Sequence, residues 1–191
     1  MNEESSFENA LELNSSVSKI ATVCGLVLVV FIGFLIAATL IFGSKESESR
    51  LLGKQAPTIA GVSLDGNEVS NSDPGTWQVV NFFALWCPGC IAEHPELVKF
   101  SNWAEENNKA EIVAVVFDSP NLSGIQEFFN SNGGDWPVLD NPSIASDFGV
   151  GKIPETFLVS PDGVVARRIQ GEVVAADLIE FIESYSDDKI S

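Results

Sequence analysis

Residues Asn81 to Pro95 read N-F-F-A-L-W-C-P-G-C-I-A-E-H-P, and this stretch decides the fold. An apolar, strand-like run from Gln78 to Leu85 leads into Trp86 and then two cysteines separated by Pro88 and Gly89. Beyond them Ile91, Leu97, Phe100 and Trp103 are spaced to share one helical face, with polar residues between. Strand, C-x-x-C, helix puts the first cysteine at a helix N-terminus, where free N–H groups and the macrodipole stabilise a thiolate. Such placement lowers a cysteine pKa from ~8.5 to ~3.5–7.5, and the thiolate is the nucleophile of disulfide exchange. Cys90 lies one turn on and can close a disulfide back onto Cys87. The stretch reads as a redox dithiol, with Cys87 attacking and Cys90 resolving.

Other uses of the pair fit less well. A zinc site needs two more nitrogen or sulfur ligands, and the chain offers only His94 and Cys24. Covalent haem attachment needs histidine right after the second cysteine, where Ile91 stands. A structural disulfide closing so short a loop would remove little chain entropy. No metal or other cofactor is expected beyond the Cys87–Cys90 disulfide itself.

Working outward, 191 residues suffice for one domain with appendages. Acidic residues number 27 against 10 basic, a net charge of -17. That argues against nucleic acid as a partner, because phosphate contact needs basic surface. Residues 1–19 form a polar tail with no periodic apolar face, read as disordered. Ile20 to Phe42 carries no charge and is bracketed by Lys19 and Lys45. As a helix its ~23 residues extend ~35 Å, enough to cross a hydrocarbon core of ~30 Å, so residues 20–42 are read as a transmembrane signal anchor. The run is longer than the ~7–15 residues usual at the centre of a cleaved signal peptide. Cys24 is a small apolar residue of this span. Residues 43–50 are a charged linker, and the soluble domain is expected over 51–191.

Within that domain Thr58 to Leu64 and Glu68 to Ser70 flank Asp65-Gly66-Asn67 as a hairpin. Asp73-Pro74-Gly75 marks a turn before the active-site strand. Glu111 to Phe117 reads as a buried strand, Asn121 to Asn132 as a helix stopped by Gly133-Gly134, Trp136 to Leu139 as a short strand and Pro142 to Phe148 as a short helix. Thr156 to Ser160 and Val164 to Ile169 flank a Pro161-Asp162-Gly163 turn, and Val173 to Tyr185 closes the chain as an amphipathic helix. Alternating strands and helices indicate an α/β three-layer domain. Two residues stay open at this level. Pro154 stands at a strand entrance, where proline is ordinary, although the order of elements also suits a cis bond facing the cysteines. Glu93, one turn past Cys90, is either a solvated carboxylate or a proton carrier beside the thiols. His94 reads as exposed and incidental.

W-C-P-G-C after an apolar strand, with G-V-G-K-I-P-E-T-F-L-V-S-P-D-G (Gly149 to Gly163) far downstream, resembles the thioredoxin superfamily. C-P-G-C-I-A-E-H-P and L-L-G-K-Q-A-P (Leu51 to Pro57) bring the resemblance closer to its membrane-anchored thiol:disulfide interchange proteins, the CcmG/DsbE type of the TlpA/ResA-like branch. The resemblance spans about Leu51 to Ile182. It implies a thioredoxin fold, a central mixed sheet flanked by helices with an added N-terminal hairpin. It implies a cis Pro154 and a catalytic domain outside the cytoplasm, on the periplasmic or outer side of a single-pass anchor. It further implies reduction of protein disulfides, typically in the C-x-x-C-H segment of apocytochrome c, with an upstream membrane thiol reductase restoring the dithiol. Glu93 matches the family's acidic residue beside the cysteines, and Glu155 the acidic residue after the cis-proline. Trp86, Pro154 and Glu155 become candidate substrate contacts, and Cys87, Cys90 and Glu93 the candidate catalytic set. Asn81 stands where ordinary thioredoxins carry a buried aspartate, so acid–base work would pass to Glu93.

Orientation is contested within the sequence. Lys19 alone precedes the span, whereas Lys45, Arg50 and Lys54 follow it, which by charge count would leave the domain in the cytoplasm. Long domains translocate largely regardless of charge, and the resemblance favours the outside. Two rival functions stand beside the cytochrome reading. One is a general extracytoplasmic reductant or oxidase; the other is a tethered binding or chaperone module with incidental cysteines.

Overall fold

The computed structural model describes residues 51–70 and 75–188. The expected tail (1–19), apolar span (20–42), linker (43–50) and the Asp73-Pro74 part of the expected turn lie outside the described residues. Among the described residues no helix is long and apolar enough to cross a membrane.

Strands β1 (Gly61–Val62) and β2 (Glu68–Val69) form the expected hairpin, shorter than the sequence suggests. Its turn is set by Gly66 at φ 91° and by Asp65, whose Oδ1 accepts from Asn67 N at 3.1 Å. β3 (Trp77–Phe83) is buried along its whole length. It feeds α1 (Pro88–Asn107), which ends where Asn108 adopts the left-handed conformation that asparagine tolerates. Then follow β4 (Ala110–Val116), α2 (Leu122–Asn132), β5 (Val138–Leu139), α3 (Pro142–Asp147), β6 (Glu155–Val159), β7 (Val165–Gln170) and α4 (Ala175–Asp188). Helices α2 and α3 begin on asparagine caps: Asn121 Oδ1 accepts from Gly124 N and Asn141 Oδ1 from Ser143 N.

The main sheet runs β5-β4-β3-β6-β7. β3, β4 and β5 are parallel, β6 runs against β3, and β7 closes the edge antiparallel to β6. The period of two along each strand sorts side chains between two cores. Trp77, Val79 and Phe83 of β3 face the layer that includes Leu97 and Phe100 of α1, Ile125 of α2 and Leu178 and Ile182 of α4. Val80 and Phe82 face the opposite layer, with Ile59, Ile144, Phe148 and Phe157. Asn81 therefore points to the α1 side, and its cross-strand partner is Thr156. That register builds the site.

The buried face of α1 consists of Cys90, Glu93, His94, Leu97, Phe100 and Ala104, with Ile91 and Trp103 only partly covered on its flanks. Truncating Phe100, which is fully buried, to alanine should cost about 3–5 kcal/mol in chemical denaturation. A loss below about 1 kcal/mol would mean that α1 is not seated on the sheet as described.

Candidate active site

Cys87 is the N-cap of α1. Its backbone is extended (φ -96°, ψ 104°), Pro88 occupies the first turn, and Sγ accepts from Cys90 N at 3.1 Å. Proline suits that turn because its missing N–H would have had no helical acceptor. Cys87 and Cys90 form a disulfide with Cα atoms 5.3 Å apart, and both are almost wholly buried. When the bond opens, a thiolate at Cys87 gains the Cys90 N–H and the positive end of a 20-residue helix. Trp86, just before it, is 56 % exposed and held by a bond from Nε1 to Asp118 O at 2.9 Å. Asp118, the residue that supplies this carbonyl, sits in the left-handed region at φ 42°.

Glu93 is buried, 1 % exposed, one turn behind Cys90. Oε1 accepts from Asn81 Nδ2 at 2.8 Å and Oε2 from Val173 N at 3.0 Å. The second amide hydrogen of Asn81 goes to Thr156 Oγ1 at 2.9 Å. Burial drives the Glu93 carboxyl up to about 7; the bonds from Asn81 and Val173 hold it down, and the Glu172 carboxylate adds to the rise. Without the two donors, burial would take it higher. The result is a group that gains or loses a proton near neutral pH.

The Ile153–Pro154 bond is cis, and Pro154 meets the helix start across Gly89. A Cβ on Gly89 would stand 3.1 Å from Pro154 Cδ and 3.2 Å from Glu172 Oε1, so glycine is what lets the two loops close on the cysteines. Pro154 O accepts from Gly171 N at 2.9 Å, tying this loop to the one between β7 and α4. Glu155 is placed elsewhere. The alternation of β6 turns it to the Phe157 side of the sheet, away from Thr156, where it is fully buried and paired with Arg168. The substrate contact expected of Glu155 cannot be made by a side chain with no exposed surface. Its carboxylate instead ties the start of β6, just past Pro154, to Arg168 of β7.

The redoxin family profile matches residues 51–180 of this chain. The chain belongs to the redoxin family. It is 31 % identical over 137 residues to a thiol:disulfide interchange protein DsbE homolog of Paracoccus denitrificans (strain Pd 1222), covering 68 % of this chain and 72 % of that protein. It is 28 % identical over 141 residues to the thiol-disulfide oxidoreductase ResA of Bacillus thuringiensis (strain Al Hakam), covering 72 % of this chain and 80 % of the relative. In three dimensions it resembles a thiol:disulfide interchange protein of the thioredoxin family from Chlorobium tepidum TLS, with a TM-score of 0.63 and 26 % identity over 72 % of this chain and 98 % of the other. The fold is thus thioredoxin-like, and this redoxin is a thiol–disulfide oxidoreductase whose redox group is its own cysteine pair.

Sequence reasoning misplaced His94. It is 2 % exposed, because it lies on the same inward face as Cys90 and Leu97. Nε2 lies 2.8 Å from Gly133 O, and a carbonyl only accepts, so Nε2 carries the proton and Nδ1 is bare. Burial among Phe83, Phe128, Phe129 and Trp136 pushes the imidazole pKa down, leaving it neutral. Thr156, Val173, Asp118 and Glu172 were not singled out by sequence. Strand pairing reveals Thr156, the loop between β7 and α4 reveals Val173 and Glu172, and the bond from the Trp86 indole reveals Asp118.

The raised Glu93 pKa fixes the sign of a pH effect. Its folded value lies above the ordinary 4.5, so its contribution to stability is fullest below about pH 4.5 and is lost as pH rises through about 7. The loss is roughly 3 kcal/mol. His94, with its lowered pKa, acts in the opposite sense as the solution is acidified, so the informative quantity is the difference between wild type and Glu93→Gln. Denaturation between pH 4.5 and 8 should show the variant gaining on wild type as pH rises. A constant difference would mean that Glu93 is ionised throughout.

Proposed function

We propose that this redoxin is a membrane-anchored, extracytoplasmic reductant of protein disulfides, with apocytochrome c as its client. The observation that carries the reductive reading is Glu93, a buried carboxyl one turn from Cys90 that exchanges protons near pH 7. In the reduced protein the Cys87 thiolate attacks a substrate disulfide, forming a mixed disulfide and releasing one substrate thiolate. Glu93 takes the Cys90 proton. The Cys90 thiolate then displaces the second substrate sulfur, leaving Cys87–Cys90 oxidised and the substrate with two thiols. Two electrons pass to the substrate, and an upstream membrane thiol reductase must return them. Pro154 and the exposed Trp86 border the cysteines as the surfaces on which a substrate strand would lie.

The anchored, outward placement is supported by the uncharged run Ile20 to Phe42 and by the resemblance of C-P-G-C-I-A-E-H-P and Leu51 to Pro57 to the anchored branch. The cytochrome client rests on that resemblance. The intact Cys87, Cys90 and cis-Pro154 set, with Glu93 behind it, disfavours a binding module with incidental cysteines.

Cys87→Ser should abolish disulfide exchange, and Cys90→Ser should accumulate mixed disulfides on non-reducing gels; normal turnover in either would sink the mechanism. The detergent-solubilised full chain, equilibrated against a thiol buffer, should have a potential near ~-270 mV, whereas one approaching ~-120 mV would reverse the direction of flow. The full chain should sediment with washed membranes, and protease added outside intact spheroplasts should remove the catalytic domain. Protection until lysis would place the domain in the cytoplasm.

A further inference from the structure

Glu172 touches no reacting atom in the steps above and acts on them only through the rise it adds to Glu93, yet the fold fixes where it stands. Its neighbours on both sides are tied to the site: Gly171 N donates to Pro154 O at 2.9 Å, and Val173 N to Glu93 Oε2 at 3.0 Å. Between these two bonds the Glu172 side chain, on an exposed residue, reaches the cysteine loop. Its Oε1 lies 3.2 Å from where a Gly89 Cβ would be, level with the Pro154 ring on the same spot. Gly89 lies between the two cysteines in sequence, so a strand passing Pro154 to reach Cys87 passes this carboxylate as well. Val174, two residues beyond, and Trp86 are two of the few large apolar side chains left exposed among the described residues.

We propose that Glu172 is a specificity-determining residue, selecting protein disulfides whose cysteine is flanked by lysine or arginine and disfavouring those flanked by acidic residues. The inference rests on the disulfide-exchange reading and adds the charge of the substrate to it. The physics is a single carboxylate at contact distance from the passing chain. That carboxylate attracts a basic side chain and repels an acidic one by similar amounts, so a basic flank should be favoured over an acidic one by roughly thirtyfold at low salt. Screening should erode that ratio as ionic strength rises. The chain's overall charge of -17 pulls in the same direction, so the test must separate one carboxylate from the whole. Glu106 serves as the control: it is exposed and lies near the opposite end of α1, roughly 28 Å along the helix from Cys87.

The experiment uses reduced full chain in detergent and three disulfide-bonded peptides, alike except for lysine, serine or glutamate beside the attacked cysteine. Reduction rates are expressed relative to the serine peptide within each variant, so that a general loss of rate does not count. Wild type and Glu106→Gln should favour the lysine peptide over the glutamate peptide by roughly thirtyfold at low salt. Glu172→Gln should bring that ratio well below the wild-type value, and Glu172→Lys should lower it further. A ratio in Glu172→Gln equal to that of wild type, or an equal fall in Glu106→Gln, would overturn the proposal and leave exchange itself intact. Reduction of none of the peptides by wild type would instead overturn the exchange reading on which it rests.

Discussion

The site depends on one buried carboxylate and the three pieces of chain that hold it. Glu93 arrives from α1, Asn81 from the central strand and Val173 N from the entrance to α4, and the two bonds are 2.8 and 3.0 Å long. An ionisable group almost wholly removed from water is costly unless its acceptors are filled. Filling them here joins the helix that carries the cysteines to the sheet and to the last loop. Glu96, one turn on, repeats the device by accepting from Ala175 N at 3.1 Å, at the N-terminus of α4 where a negative charge is favoured. Two carboxylates on one face of α1 thus set the position of α4 and of the loop before it. Proton exchange at Glu93 and the docking of that loop are consequences of the same bonds.

The cysteine end of α1 is governed by a different constraint. Cys87 does the work of a serine or asparagine cap, accepting from Cys90 N, so one sulfur of the redox pair also starts the helix. Pro95 in the same helix has no N–H to offer the Ile91 carbonyl, so the turn that carries Glu93 is less tightly knit to its neighbour than a regular helix would be. The packing beneath compensates. Leu97 and Phe100 are buried against the sheet, and His94 fastens α1 to the Gly133 carbonyl at the end of α2.

Most of the architecture was legible because its signals are local. The β-branched runs, the Asp65-Gly66 and Asp162-Gly163 turns and the glycines after α2 each mark an element boundary with its own physical reason, and observed boundaries differ from the reading by a few residues. The inward face of α1 was harder to read. Apolar spacing selected Ile91 and Trp103, whereas the structure buries Glu93 and His94, which look like solvent-facing breaks in the pattern. Helical spacing places both beside Cys90 and Leu97, but a residue-type pattern cannot show that a polar side chain has found a buried partner. Those partners are Asn81, Val173 and Gly133, far away in sequence. Glu155 failed for a related reason. Its neighbour in sequence borders the cysteines, but one step along a strand turns a side chain to the other face.

Asn81 shows why the amide and the carboxylate belong together. Both hydrogens of its Nδ2 are spent, one on Glu93 and one on Thr156, at 2.8 and 2.9 Å. An ionised aspartate there could donate neither bond and would set a second negative charge against Glu93. One of the two carboxyls would then have to hold a proton well above neutral pH. With asparagine, burial and the two donors act in opposition on a single group and leave it near 7. The same amide ties Glu93 to Thr156, two residues past Pro154, so the buried carboxyl and the strand that follows the cis-proline share one hydrogen-bonded support. Replacing the strand aspartate of ordinary thioredoxins by asparagine therefore does more than remove a charge. It leaves the titrating carboxyl on the helix and makes the strand residue the part that holds it in place.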